Sequence, residues 1–375
     1  MTFMANEKIE SAEAIRGIAC FFVVLSHLSL TFFPSLHHFF DNPTSTQSIE
    51  LWIHHSPFAF WYSGTAAVYI FFVLSGVVLT YSIVNSAKPV KKILSMSIKR
   101  YPRLMLPALA SCMLLWAAFT LYDPPTTGMS EWIASLGDIK PTSFTYAFYE
   151  GSFGAFWNGT SQYNWVLWTM KIEFIGSFAL FFLLYLRHLN KWLTLLLPIT
   201  IVALCTDLDY LGYAAFLIGA LCYLYRKTLS TPVATIVLLF GLYCSGVHID
   251  SDSYQLINDY LGDSSYEILN FLSGILIVLP ILFNQTLSRV ISNRLTIWLG
   301  KLSFSAYLIH LLILYTVGIT LFEYLHNAGM LYAPAALLSC AAVIIVTFAC
   351  SEVFFRLVDK NAITLSNKLA NAIIK

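Results

Sequence analysis

The chain is predicted to be an all-α, polytopic integral membrane protein of about ten transmembrane helices, with both termini on the cytoplasmic side. Three observations predict this. The 375 residues are 58% hydrophobic and only 11% charged, whereas soluble domains carry about 25% charged residues. Apolar stretches long enough to cross a bilayer core recur along the whole chain. Basic residues fall almost entirely in alternate loops, as the positive-inside rule requires of cytoplasmic segments.

The stretches run approximately over 14–34, 62–84, 104–122, 164–186, 192–208, 210–225, 231–248, 266–284, 295–322 and 331–355. The first follows a polar segment carrying Glu7, Lys8, Glu10 and Glu13. It is too long for a signal-peptide core and lacks a small-residue cleavage site, so it is expected to be retained. The third is entered through Lys99 to Pro107, which sets Lys99, Arg100 and Arg103 beside a helix start stiffened by Pro102 and Pro107. The fifth and sixth are short for spans and are joined by the turn Asp207-Leu208-Asp209. The ninth is long enough to tilt or to extend past the bilayer. Residues 1–375 are read as one membrane domain.

Counting Lys and Arg on the side that holds the N-terminus gives 19 of the 21, with Lys140 and Lys171 elsewhere. The opposite loops hold Asp41, Glu50, Asp123, Glu131, Asp138, Glu150, Asp250, Asp252, Asp259 and Asp263. The longest of them, about 123–163, is rich in aromatics and glycine. It suits a segment that lies on the membrane surface or folds over a site.

Composition also excludes function classes. A net charge of +1 offers no basic footprint for nucleic acid. There is no P-loop, Rossmann fingerprint, GxSxG or HExxH motif. The seven cysteines form no CxxC pair and read as small packing residues. The pairs His37-His38 and His54-His55 lack metal-ligand spacing, so no metal is expected.

Ionisable groups inside hydrocarbon are costly and mark function. Arg16 and His27 stand eleven positions apart on the first span. Eleven residues make about three helical turns, so both share one face with a rise of roughly 16 Å. Arg16 belongs near the cytoplasmic mouth, where a guanidinium can hold phosphate or anchor topology. His27 belongs deep in the membrane, and a neutral imidazole there suits a general base. Glu173 sits near the midplane of the fourth span. It can orient or stabilise His27, or pair with Lys171 or an arginine. Trp165 and Trp168 suit an interfacial belt. Arg100 and Arg103 suit a polyanionic ligand such as coenzyme A or anionic lipid. His310 is mid-span with Tyr307 one turn earlier on the same face. Glu352 and Arg356 have ion-pair spacing.

Five segments in order resemble acyltransferase family 3, the polytopic membrane O-acyltransferases of envelope sugars and small molecules. Glu13 to Ala19, continuing to His27, matches the family's Arg-x10-His signature. Val68 to Gly76 is similar to its FFxLSG stretch. Arg100-Tyr101-Pro102-Arg103 with Pro107 is the third. Leu167 to Glu173 resembles LW(S/T)xxxE, and Leu299 to His310 resembles GxxSYxxYLxH. The resemblance implies acyl-CoA, most simply acetyl-CoA, as cytoplasmic donor, and a hydroxyl of an envelope glycan or similar molecule as acceptor. It assigns His27 as catalytic base or acyl relay and Glu173 as its support. Arg16, Arg100 and Arg103 hold the donor, and Tyr307 and His310 contact substrate. The expected location is an inner or plasma membrane, among its lipids. About twenty residues follow the last predicted span, so a fused SGNH-type domain is not expected here and a separate downstream transferase is a candidate partner. The competing reading is a proton-coupled transporter or lipid-linked sugar flippase, with His27 and Glu173 as proton relay.

Overall fold

A computed structural model describes residues 2–39, 48–122, 130–138 and 143–374. Asp41, Asp123, Lys140 and Lys375 lie outside the described residues. These contain no strand, and seven helices are long and apolar enough to cross a membrane. With three shorter apolar helices they are named in chain order. They are α1 Thr2–Phe32, α2 Gly64–Val84, α3 Pro89–Leu121, α4 Trp168–Leu189, α5 Leu196–Leu204, α6 Leu211–Leu224, α7 Thr231–Ser245 and α8 Ser264–Phe283. α9 is Arg294–Asn327 and α10 is Tyr332–Ile373. The short helices α5 to α7 fall on the fifth to seventh predicted stretches.

Local chemistry fixes the helix starts. Ser63 caps α2 by accepting from the Ala66 amide, and Asn293 forms a capping box with Thr296 at α9. Proline occupies the first turn of α3 and of α7. α1 runs through the centre, packed chiefly on α9 and α2. α2 in turn meets α6 through two glycines. A Cβ on Gly76 would lie 1.9 Å from the Phe216 carbonyl oxygen, and one on Gly219 would lie 2.1 Å from that of Val73. Small residues let backbones approach where lipid supplies no hydrophobic drive between helices. Gly76→Ala or Gly219→Ala should therefore cost about 1–3 kcal/mol by overpacking, read as a lower thermal midpoint of the detergent-solubilised protein.

Three features differ from the sequence-based expectation. First, α3 begins at Pro89, so Lys91, Lys92, Lys99, Arg100 and Arg103 are helical and not in a loop. Pro102 and Pro107 are interior and not at its start. Each removes one backbone donor, a loss that membrane helices tolerate when neighbours compensate.

Second, the helix does not stop near 355, where the last predicted span ends. α10 passes through a π-turn at Phe355–Asp359 and continues as the amphipathic helix Lys360–Ile373, packed on α3.

Third, 143–164 packs along α3, while Trp132, earlier in the same predicted loop, folds over the site as expected, its ring stacked on that of His27. A helix over 144–157, with a π-turn at Glu150–Gly154, descends alongside α3. Phe144 meets Trp116 near its top, and the Ser152 carbonyl accepts from the Tyr101 hydroxyl near its foot. The chain returns without helix through 158–164. Non-helical backbone within a membrane bundle needs protein partners. The Glu150 carboxylate supplies them, accepting from the amides of Gln162, Tyr163 and Asn164 at 2.7, 2.9 and 3.1 Å. Asn164 Nδ2 then donates to Leu308 O at 2.9 Å and to Ser111 Oγ at 3.0 Å, tying the segment to α9 and α3.

Candidate functional site

Two cavities meet in the centre of the bundle. The larger, about 540 Å³, lies at the end carrying the basic residues, within the 300–1,000 Å³ typical of ligand sites. Its walls come from α1, α2, α3, α4, α9 and α10. The cations are Arg16, Arg100, Arg103 and Lys301, and the carboxylates are Glu13, Glu173 and Asp359. Arg16 Nη1 donates to Glu13 Oε1 one turn earlier, at 2.9 Å. Arg100 donates through Nη2 to both the carboxylate and the backbone carbonyl of Glu173. Ser75 of α2 donates to the other carboxylate oxygen at 2.5 Å. Arg100 Nε is buried and has no partner among the described residues. Arg103 and Lys301 are exposed. This donor set fits a polyphosphate: several cations, one buried guanidinium with an unused N–H, and an opening to solvent.

The smaller cavity, about 150 Å³, contains His27. Its lining also includes His37, His248, Tyr62, Tyr266, Ser63, Thr65, Trp165 and Trp168. The two tryptophans expected in an interfacial belt thus line a cavity. Tyr307 and Val68 line both cavities and form the wall between them. The Tyr307 hydroxyl is held by the Val166 carbonyl and Thr169 Oγ1, each at 3.0 Å.

His27 and His310 are bonded across α1 and α9, Nδ1 to Nε2 at 2.8 Å. Their tautomers follow from the partners. His310 Nδ1 faces the carbonyls of Tyr307 and Ala306 at 2.8 and 3.1 Å. Carbonyls only accept, so His310 Nδ1 carries a proton. In the neutral ring its Nε2 is then an acceptor, and His27 Nδ1–H donates to it. His27 Nε2 is left with a bare lone pair. The ring is braced by stacking on Trp132, centroids 5.3 Å apart. A base, an orienting partner and a backbone anchor therefore stand in series.

The sequence-predicted site residues divide between these places. Arg16, Arg100, Arg103 and Glu173 gather in the basic cavity, and His27 and His310 form the pair beyond Tyr307. Of the two readings of Glu173, support for His27 or pairing with Lys171 or an arginine, the structure has the arginine pair. Glu173 meets Arg100 of α3 and Ser75 of α2. His310 takes the place beside His27. Glu352 and Arg356 form the expected i,i+4 ion pair at 2.6 Å.

Sequence reasoning missed the setting of the loop histidines. His37, His54 and His248 cluster with ring centroids 5.0 to 5.8 Å apart, flanked by the pairs His38–Asp250 and His55–Asp252. No spacing signals this, since His248 lies on a separate loop. His37 Nε2 bonds to Ser29 Oγ at 2.7 Å, and Ser29 donates onward to Ser26 O. Among the described residues no group of His, Cys, Asp or Glu is arranged to hold a metal. Burial pushes His248 down to about 3 and holds His37 and His54 below the ordinary 6.5, with neighbouring imidazoles adding to it. The fold thus favours the neutral rings. Their contribution is complete above pH 6.5 and is lost as pH falls toward 3. Each such group lowers the folded-to-unfolded ratio by up to about tenfold per pH unit in that window. Thermal midpoints measured from pH 7.5 to 4.5 should fall steadily, and His248→Gln should flatten the slope.

A bundle of apolar helices enclosing a basic cavity and a buried histidine pair defines a polytopic membrane protein with an internal polar site. The family model described as an acyltransferase domain, acyltransferase family 3, matches residues 9–352. The chain belongs to that family and is a membrane acyltransferase. All five sequence segments converge on the two cavities: Ser75 and Arg100 meet at Glu173, and His27 meets His310. No curated protein and no solved structure matches the chain.

Proposed function

We propose that the protein transfers an acetyl group from acetyl-CoA to a hydroxyl of an envelope glycan or a similar small polyol. The observation that carries this reading is the wall shared by the two cavities. A polyphosphate-fitting cavity and an imidazole-bearing cavity abut at Tyr307 and Val68. The basic residues at the first cavity support a cytoplasmic face for it and the far side for the second.

Arg16, Arg103 and Lys301 hold the donor phosphates, and Arg100 offers its Nε. Glu173 and Ser75 keep Arg100 in place, which makes Glu173 a positioning residue. The bound thioester supplies an activated acyl carbon. His27 takes the hydroxyl proton at Nε2, and the hydroxyl oxygen bonds to that carbon as the carbon–sulfur bond breaks. His27 then returns the proton to the sulfur. His310 accepts from His27 Nδ1–H throughout and stabilises the transient imidazolium. A cavity of about 150 Å³ holds one ring the size of benzene, so the acceptor presents one sugar unit at a time.

The test is purified protein with labelled acetyl-CoA, with and without a hydroxyl acceptor. Free CoA should appear in step with acetylated acceptor. Proton-coupled flux without acetyl-CoA consumption would favour a transporter instead.

A further inference from the structure

The smaller cavity holds a second imidazole that the transfer described above does not use. His37 lines it together with His27 and is 4% exposed. Its Nε2 lies 2.7 Å from Ser29 Oγ. Ser29 donates its own proton to the Ser26 carbonyl at 2.9 Å, so its oxygen accepts and His37 Nε2 carries the hydrogen. Burial keeps the ring neutral, which makes Nδ1 an acceptor. Ser29 follows His27 by two residues on α1, so one helix sets the position of both rings.

The turn that carries His37 is held from several sides. Pro34 opens the short turn Pro34–Leu36. The Leu36 carbonyl accepts from the Tyr62 hydroxyl at 2.9 Å and from His54 Nδ1 at 3.0 Å. His38 follows at φ 52°, a costly conformation for a side chain that persists only where the surroundings hold it. Other polar groups of the lining have partners of their own. Tyr266 meets Thr65 at 3.0 Å, and His248 Nδ1 meets the Gly246 carbonyl of its own loop at 3.2 Å.

We propose that His37 is an acceptor-specificity residue: its Nδ1 accepts from a second hydroxyl of the acceptor, on the same ring as the hydroxyl that His27 deprotonates. The inference rests on the acceptor-site reading above and narrows it from any alcohol to a ring bearing at least two hydroxyls. A cavity of about 150 Å³ has room for one such ring. An acceptor with a single hydroxyl leaves Nδ1 desolvated and unpaired, a loss that discriminates between substrates.

The experiment compares kcat/KM for cyclohexanol with those for the vicinal and non-vicinal cyclohexanediols, using acetyl-CoA and the full-length protein in detergent. These acceptors share donor and base, so the diol-to-alcohol ratio reads the second hydroxyl alone. The wild type should favour its better diol about tenfold, the upper range for one neutral hydrogen bond and above the statistical gain from a second hydroxyl. His37→Gln keeps a donor for Ser29 but offers no acceptor at the Nδ1 position, and should remove all but that statistical gain. His37→Asn sets its amide oxygen where Nδ1 stands and should keep most of the preference. Acetylation without a diol preference in the wild type leaves acetyl transfer standing and overturns this proposal, whereas acetylation of none of the rings overturns both. A ratio unchanged in His37→Gln, or lost equally in both variants, also overturns it. If either variant does not fold, Ser29→Ala, which unties the ring without removing it, should lower the ratio, and an unchanged ratio there overturns the proposal.

Discussion

His27→Ala should lower acetyl transfer by about 10² to 10⁴-fold, the usual contribution of a positioned general base, while the protein stays folded and still binds donor. The substitution removes the one nitrogen in the pair with a free lone pair. Donor binding is spared because the basic cavity lies beyond Tyr307, and neither His27 nor His310 lines it. His310→Phe separates base from support. Its loss removes the acceptor for His27 Nδ1–H, so His27 can turn and expose either nitrogen. The expected result is a smaller fall in kcat, little change in KM for the donor, and a displaced pH–rate profile. A purely packing role for His310 would leave the profile in place. Steady-state kinetics across pH 5.5 to 8.5 on all three proteins reads both effects.

Glu173→Ala and Arg100→Ala should each destabilise the protein by about 3 kcal/mol, the low end for breaking a buried ion pair. The low end applies because the two side chains keep 15% and 12% of their surface and border an open cavity. Either change leaves a charge facing α2, α3 and α4 with its partner gone. The double replacement Arg100→Met with Glu173→Leu removes both charges and fills the volume. It should recover most of the thermal stability, since apolar isosteres often substitute for buried pairs without loss. Donor affinity should not recover if Arg100 belongs to the proposed phosphate-binding set. Stability restored together with activity would show that the pair serves the fold alone. Thermal unfolding and CoA titration on the four proteins complete the cycle.

The parts of the site that share one helix were legible before any coordinates. Arg16 and His27 lie on α1, and helical period alone sets their separation and common face. Glu352 and Arg356 were readable for the same reason. Partners on different helices were not. His27 and His310 are 283 residues apart, and no periodicity relates them. The helical setting of Arg100 was misjudged because two prolines suggested a helix start that Pro89 provides. A polar, basic first half of α3 looks like loop by hydropathy, whereas in the structure it is helical and packs against the tail of α10. The descent of 143–164 was hidden in the same way. Its aromatics and glycines suit a surface as well as a bundle, and the deciding group is the Glu150 carboxylate, which looks like any other loop acid in sequence.

The central claim is that donor and acceptor reach one wall, Tyr307 and Val68, from opposite faces of the membrane. Sided transfer in sealed proteoliposomes tests it most directly. Labelled acetyl-CoA is confined to the compartment facing the basic cavity, and a membrane-impermeant hydroxyl acceptor to the other. The account predicts label on the acceptor across the bilayer, lost in His27→Ala. Label transferred only when both substrates share one compartment would contradict it.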